Sequence, residues 1–335
     1  MKLGPITDKQ GRITYQRMTG KVHYRAFELN WHSYGLAIPE LPSCSVDALA
    51  GADPLIAIES EEADNWPQLE PGPHDTPYLQ MARGDLRLTV DDIGCFRIAG
   101  GKRIAWHRLH SGVSDQDIST FLLGSAVGAL LIQRGSFVLH GNALEKDGKA
   151  IVCMGHSGAG KSTLAYALMQ QGWRLLADDL VAVSPDGRVL PGIPRIKLWH
   201  DAAKAFGLDP DRLPPIRQGM NKYLLMGDAL QRAPQAVPLQ AMYLIHQHRP
   251  DAADPDAGQI SRITSQKTAA LRLRNQAFRP RFVRGLGQEG PNFMALAMLQ
   301  QRVPLATLPL PQGITAMQSW LQEQDLLMAA ELVTV

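Results

Sequence analysis

Eight consecutive residues, Gly155-His156-Ser157-Gly158-Ala159-Gly160-Lys161-Ser162, satisfy the Walker A pattern G-x-x-x-x-G-K-[ST] without a mismatch. Glycine at 155, 158 and 160 lets backbone N–H groups converge on phosphate oxygens, because a side chain there would obstruct the turn or hold the ligand away. Lys161 is placed to reach β- and γ-phosphates as a point charge, and the Ser162 hydroxyl to hold Mg²⁺. The expected nucleotide contacts are Gly155, Ser157, Gly158, Ala159, Gly160, Lys161, Ser162 and Thr163. Sixteen residues separate Lys161 from the pair Asp178-Asp179, enough for one helix and a return strand. An apolar strand ending in two aspartates beside a phosphate site is where a metal carboxylate, or a base for an attacking hydroxyl, belongs.

These groups need a frame, and the flanking sequence supplies one. Ala150 to Met154 reads as a buried strand that feeds the glycine loop, and Thr163 to Gln171 as the helix whose positive end faces it. Leu175 to Asp179 is the return strand. Upstream, Phe137 to His140 reads as a strand and Asp147-Gly148 as a tight turn. Downstream, Ala241 to His246 reads as a strand, and Thr268 to Ala277, Asn292 to Gln301 and Gly313 to Leu327 as helices. That alternation predicts an α/β unit over residues 114–335. It opens at Ser114-Asp115-Gln116-Asp117, a capping-box start for an apolar helix that stops at Gly135.

Residues 1–113 have a different texture. Short alternating pieces, Gly20 to Tyr24, Tyr34 to Ile38, Leu86 to Val90 and Cys95 to Ile98, are separated by Gly, Pro and Asp turns, which predicts a β-rich N-terminal domain. The acidic, Pro-rich stretch from Glu59 to Pro77 suits an exposed loop better than a catalytic pair.

Composition sets outer limits. The 335 residues are 45% hydrophobic and 20% charged with a formal charge of +2, an ordinary globular composition with no global field for nucleic acid or anionic membrane. Neither is expected as a partner. The longest apolar stretch, Phe121 to Ile132, is broken by Gly124, Ser125 and Gly128 and falls short of the ~20 residues that cross a bilayer. The N-terminus has no apolar signal segment, and Cys44, Cys95 and Cys153 show neither disulfide nor zinc spacing, so a reducing cytoplasm is expected.

The runs Leu139-His140-Gly141-Asn142-Ala143, Gly155 to Thr163, and Gly172 to Asp179 together resemble the catalytic core of the HPr kinase/phosphorylase superfamily. With the Pro191-Gly192-Ile193-Pro194 element they are most similar to HPr-kinase-related serine kinases, including those acting on the C-terminal serine of lasso-peptide precursors. The detailed match spans about His140 to Trp199 and is specific for superfamily, weak for substrate. The resemblance implies a P-loop, HPr-kinase-like core that uses ATP and Mg²⁺ on a peptide or small protein with an acceptor serine, and a homo-oligomer. It implies Asp178 as the base for the serine hydroxyl, and Asp179 as a metal support or as the residue that orients Asp178. Mg²⁺ would then sit on Ser162 and Asp179. His140 would stand beside them, catalytic or structural. One departure argues against HPr itself and against the reverse reaction: the Glu-x-Arg-Gly-x-Gly signature is missing behind the aspartates, and Arg284-Gly285-Leu286-Gly287 comes a hundred residues later without the glutamate.

Transferring a phosphoryl group calls for a further cation. Arg195 and Lys197 follow the Pro-Gly-Ile-Pro turn, while Arg212, Arg217 and Lys222 lie in a Pro/Gly-rich stretch, Asp209 to Tyr223, with the texture of a mobile lid. Arg217 and Lys222 are favoured, with Arg195 next. Residues 261–284 hold seven Lys/Arg and no acid, a solvated helix face or a dock for an acidic peptide. Two other readings stay open: an HPr or small-metabolite kinase, and a nucleotide-dependent switch in which water replaces the acceptor.

Overall fold

The computed structural model describes residues 20–45, 55–217, 219–227, 230–247 and 259–329. It is a mixed α/β structure of two compact units. The first comprises Met1–Ser136 with Arg212–Met220 and Arg279–Asn292, and the second Phe137–Asp211, Asn221–Phe278 and Phe293–Val335. The units divide at Ser136, whereas the expected division lies ahead of Ser114.

In the first unit, β1 (Lys21–Ala26), β2 (Leu29–Tyr34), β3 (Leu55–Ser60), β4 (Leu79–Ala82), β5 (Asp85–Val90), β6 (Gly94–Ala99) and β7 (Arg103–Arg108) form one sheet of order β1-β2-β3-β7-β6-β5-β4. Period-2 alternation puts Trp31, Ile56, Ile58, Phe96 and Ile98 on a single buried face. The expected strand from Tyr34 to Ile38 ends at Tyr34 instead. Leu36 and Ile38 are buried as a loop, and the Ile38 N–H donates to the Tyr24 hydroxyl (2.9 Å). The stretch from Glu59 to Pro77 is not wholly a solvated loop either. It starts within β3, Trp66 is buried, and Arg103 pairs with both Glu59 (3.2 Å) and Glu61 (3.3 Å).

The capping box forms as the sequence predicts: Ser114 Oγ accepts from the Asp117 N–H, and the Asp117 carboxylate accepts from the Ser114 N–H. It opens α1 (Asp115–Phe121), which runs through a π-helical turn (Leu122–Ala126) into α2 (Val127–Gln133). This helix lies in the first unit rather than in the α/β unit. Ile118 packs over Gly94 of β6, and Gln133 ties the far end down through the Gly101 N–H (2.7 Å) and the Ile98 carbonyl (2.9 Å).

The second unit is built from β8 (Phe137–Leu139), β9 (Gly141–Lys146), β10 (Lys149–Met154), α3 (Lys161–Gln170), β11 (Arg174–Asp178), β12 (Val181–Val183), β13 (Arg188–Val189), β14 (Arg195–Trp199), α4 (His200–Ala205), β15 (Lys222–Met226), β16 (Val237–Gln247), β17 (Ser261–Arg262) and α5 (Gln266–Gln276). After α6 (Pro280–Gly285), which belongs to the first unit, come α7 (Glu289–Arg302), β18 (Leu305–Leu310) and α8 (Ile314–Gln322). The closing helix is shorter than the expected Gly313 to Leu327. One path of strands runs β11-β9-β10-β16-β13-β12-β8, and β18 and β17 extend it from the other edge of β16. β10, β16 and β18 are parallel. Ala150, Val152 and Met154 of β10 share a core with Leu273 of α5 and Leu299 of α7, while Ile151 and Cys153 are buried on the opposite face. Burial on both faces explains the unbroken apolar run.

Two chain segments change sheet side by side. β8 pairs with β12, and its continuation β9 pairs with β10 and β11, while β11 continues into β12 past Asp179. Gly141 stands at this corner, where a Cβ would lie 2.5 Å from the Cys153 carbonyl oxygen. Gly141→Ala is therefore expected to cost about 1–3 kcal/mol in denaturant unfolding through local overpacking, against little change for an alanine at exposed Gly290.

Candidate active site

The glycine loop leaves β10 at Gly155 and enters α3 at Lys161, the strand–loop–helix setting expected for it. At Gly155 a Cβ would come within 2.9 Å of the Ile245 carbonyl oxygen, so the loop can follow β16 this closely only without a side chain. Gly160, at φ +95°, turns the chain into the helix through a conformation that other residues resist. Ala159 is buried, Ser157 is exposed and Thr163 lies half-buried in the first turn of α3. The Lys161 ammonium folds back over its own loop, donating to the carbonyls of Gly155 (2.8 Å) and His156 (3.0 Å). Burial pushes its pKa down, and the Asp178 and Asp179 carboxylates oppose that shift. The His156 ring bonds locally to the Ser157 carbonyl (2.8 Å).

Asp178 ends β11, in register with Asn142 of β9, which is in turn in register with Cys153 of β10. Asn142 is fully buried and donates through Nδ2 to the Lys161 carbonyl (2.5 Å), fastening the first turn of α3 to the sheet. The Ser162 hydroxyl donates to Asp178 (3.2 Å to Oδ1), and the Lys197 N–H donates to Asp178 Oδ2 (3.1 Å). Asp178 is 5% exposed. Burial first, then the charge of Asp179, raise its pKa, and the Lys197 N–H and ammonium and Lys222 only partly counter them.

Asp179 follows in the left-handed region, φ +75°, between β11 and β12. Burial raises its pKa, but the Lys197 ammonium (Nζ to Oδ2, 2.5 Å), His140 and Arg195 outweigh burial and hold the carboxyl well below the usual range. The His140 ring donates through Nδ1 to the Asp179 carbonyl (3.0 Å) and lies 3.6 Å from its carboxylate. Burial lowers the His140 pKa, with Lys161 and Lys197 adding to the shift and Asp179 opposing it.

The cations come from the β14–β15 hairpin. Alternation along β14 puts Arg195, Lys197 and Trp199 on one face, and Lys222 of β15 pairs with Trp199, its Nζ 5.3 Å from that ring. Arg195 is buried and acts electrostatically on both Asp179 and Lys197.

The second unit thus gathers Gly155 to Thr163, His140, Asp178, Asp179, Arg195 and Lys222. Arg217 is not among them: it belongs to the first unit, where its Nε lies 3.8 Å from Asp117. The stretch expected to be a lid is divided likewise, and Pro215 and Ile216 accept hydrogen bonds from Gln116 and Thr120 of α1. The expected metal pair was Ser162 with Asp179, but the carboxylate that meets the Ser162 hydroxyl is Asp178. Lys197, rather than Arg217, is the cation that meets Asp179, and the alternation Arg195-Ile196-Lys197 is the sequence signal for it. Asn142 stood in the sequence without a role.

No protein-family model matches this chain, and no curated protein does. Among solved structures it is similar to the Hpr(Ser) kinase/phosphatase from Coxiella burnetii, at 15% identity over 55% of this chain and 88% of that one, with a TM-score of 0.25. So loose a likeness fixes neither activity nor site. No helix among the described residues is long and apolar enough to cross a membrane.

The raised pKa of Asp178 has a measurable consequence for stability. A buried acid whose folded-state pKa lies above its unfolded value costs stability as pH rises through that window, and the cost is complete above the folded pKa. Asp178→Asn should therefore melt higher than wild type at neutral pH. The difference should vanish as pH falls below the ordinary aspartate range, which thermal melts across pH would show. An equal offset at every pH would contradict the assignment.

Proposed function

We propose that the chain is an ATP- and Mg²⁺-dependent phosphotransferase acting on a serine hydroxyl of a peptide or small protein. One observation carries this reading: beside the Lys161 loop stand two adjacent carboxylates whose surroundings drive them apart, Asp178 up by burial and Asp179 down by Lys197. When a carboxylate pair is split in this way, the raised member is suited to take a proton and the lowered member stays a fixed charge.

The residues present suit the ligands this reading requires. The loop offers backbone N–H groups and an ammonium, and Ser162 and the aspartates offer hard oxygen donors of the kind Mg²⁺ takes. Ser162 and Asp179 are the residues proposed to hold Mg²⁺, which would supply countercharge to the terminal phosphates. Lys161 positions the terminal phosphates. The acceptor oxygen forms its bond to the γ-phosphorus as the bond to the β–γ bridging oxygen breaks. Asp178 receives the hydroxyl proton, and nucleoside diphosphate leaves. His140 and Lys197 keep Asp179 in place and ionised. The free thiols of Cys44, Cys95 and Cys153 accord with a cytoplasmic setting.

A serine-tailed precursor peptide of the lasso type is the first acceptor to try, on the sequence resemblance alone. Intact-mass spectrometry after incubation with ATP and Mg²⁺ should show a gain of ~80 Da, one phosphoryl group. Asp178→Asn should lower transfer by about 10²–10⁴-fold while nucleotide still binds. ATP turnover without any acceptor, and no gain on peptides, would instead favour a nucleotide switch.

The two aspartates are separable in the same assay. Asp179→Asn should raise the Mg²⁺ concentration for half-maximal rate, whereas Asp178→Asn should leave it unchanged. The reverse result would exchange their roles. Because Asp178 must be ionised to act, the acid limb of the rate profile should lie above that of an ordinary aspartate.

A further inference from the structure

A cavity of about 590 Å³ opens in the second unit at the start of the glycine loop, its walls including Gly155, His156, Ser261, Arg272, Asn275 and Gln276. Its position says which end of a bound nucleotide it would face. A loop lysine serves the β- and γ-phosphates, and the Lys161 ammonium lies on the carbonyls of Gly155 and His156, the two loop residues that line the cavity. The cavity therefore adjoins the stretch of loop on which the Lys161 ammonium rests, the group that would meet the terminal phosphates. Another part of its lining is tied to Asp179: the Gln276 carbonyl accepts from the His140 N–H (2.9 Å), and the His140 ring donates to the Asp179 carbonyl (3.0 Å).

The chemistry of the walls is equally selective. Arg272, Asn275 and Gln276 stand at i, i+3 and i+4 on one face of α5. Arg272 is exposed and makes no ion pair among the described residues, and no Asp or Glu among them lines the cavity. Within the second unit, residues 261–278 carry Arg262, Lys267, Arg272 and Arg274 and no acid. A lone guanidinium flanked by carboxamides and a hydroxyl is a donor set that matches a carboxylate, which it can hold with two parallel hydrogen bonds.

We infer that this cavity is the acceptor pocket, and that Arg272 sets specificity by pairing with a carboxylate that the acceptor carries close to its serine. The inference rests on the phosphotransferase reading. Two sources offer the same chemistry, a terminal carboxylate and an Asp or Glu side chain.

The test uses the full chain with a short serine-tailed peptide in three forms: free terminus, C-terminal amide, and free terminus with Asp and Glu replaced by Asn and Gln. Neutralising the recognised carboxylate should lower wild-type kcat/KM roughly ten- to hundredfold, mainly through KM. The arm that shows the loss identifies the source. Arg272→Gln should bring the charged peptide down to the neutral one, with no further loss on the neutral form, and Arg272→Lys should restore part of the difference. The KM for ATP should hold in both variants. Equal wild-type rates on charged and neutral peptides, or a KM for ATP that rises in Arg272→Gln, would overturn the pocket assignment and leave the kinase reading intact. No phosphoryl gain on any peptide from a wild-type chain that Mg·ATP still stabilises against heat would overturn both.

Discussion

A carboxylate removed from water must be solvated again by the protein, and the centre of the second unit is arranged around doing this for Asp178. Its oxygens meet a serine hydroxyl from α3 and a backbone N–H from β14, so two elements distant in sequence are pinned to the end of β11 by one side chain. Neither partner neutralises the charge, and Asp179 beside it makes ionisation harder still. Lys197 relieves this by holding Asp179 rather than Asp178. Arg195, Lys197, Lys222 and Lys161 stand around two carboxylates, and the surplus of positive charge suits a ligand that brings several negative charges of its own.

The backbone that makes this possible is the corner where β8 passes into β9 and β11 into β12. His140 and Asp179 are the residues at which the two chains change sheet, and so they come together without any long side chain reaching across. The corner is crowded at Gly141 and strained at Asp179, whose positive φ an aspartate tolerates better than a branched residue. Strain is kept in folded proteins only where the surroundings over-determine it. Here the hydrogen bonds of Lys197 and His140 to Asp179 supply that constraint.

What was legible in the sequence was what depends on local spacing. The glycine loop, the helix behind it, the aspartate pair and the capping box at Ser114 are all set within a few residues of chain, and each stands where its pattern puts it. The cations were harder because they are placed by pairing between distant strands. Lys197 and Arg217 look alike as basic residues beside proline and glycine, yet one lies on a hairpin next to Asp179 and the other against Asp117 of the first unit. Hairpin register decides that difference, and no short window reveals it. The parallel strand β3 and the burial of Trp66 were hidden for the same reason: the acidic, proline-rich composition around them describes solvent, whereas the one arginine that pairs with Glu59 and Glu61, Arg103, comes from β7.

The two units treat charge differently, and the contrast bears on what the second one binds. On the sheet of the first unit Arg97 meets Asp85, Arg103 meets Glu59 and Glu61, and Arg108 meets Asp115, so three of its arginines are matched within the chain, while Arg87 lies over the Trp66 ring. Such pairs add little stability, but each offsets charge where it forms. Along α5 the chain supplies Lys267, Arg272 and Arg274 with no acid in the helix at all. Charge that no acid among the described residues matches, beside a lysine-bearing glycine loop, draws anions toward one end of the sheet, because low-dielectric walls focus the field of the few charges that line a cavity. Specificity then depends on geometry. A carboxylate that pairs with a planar guanidinium is held in orientation as well as in place, and that is the constraint the proposed acceptor pocket would use to aim a hydroxyl.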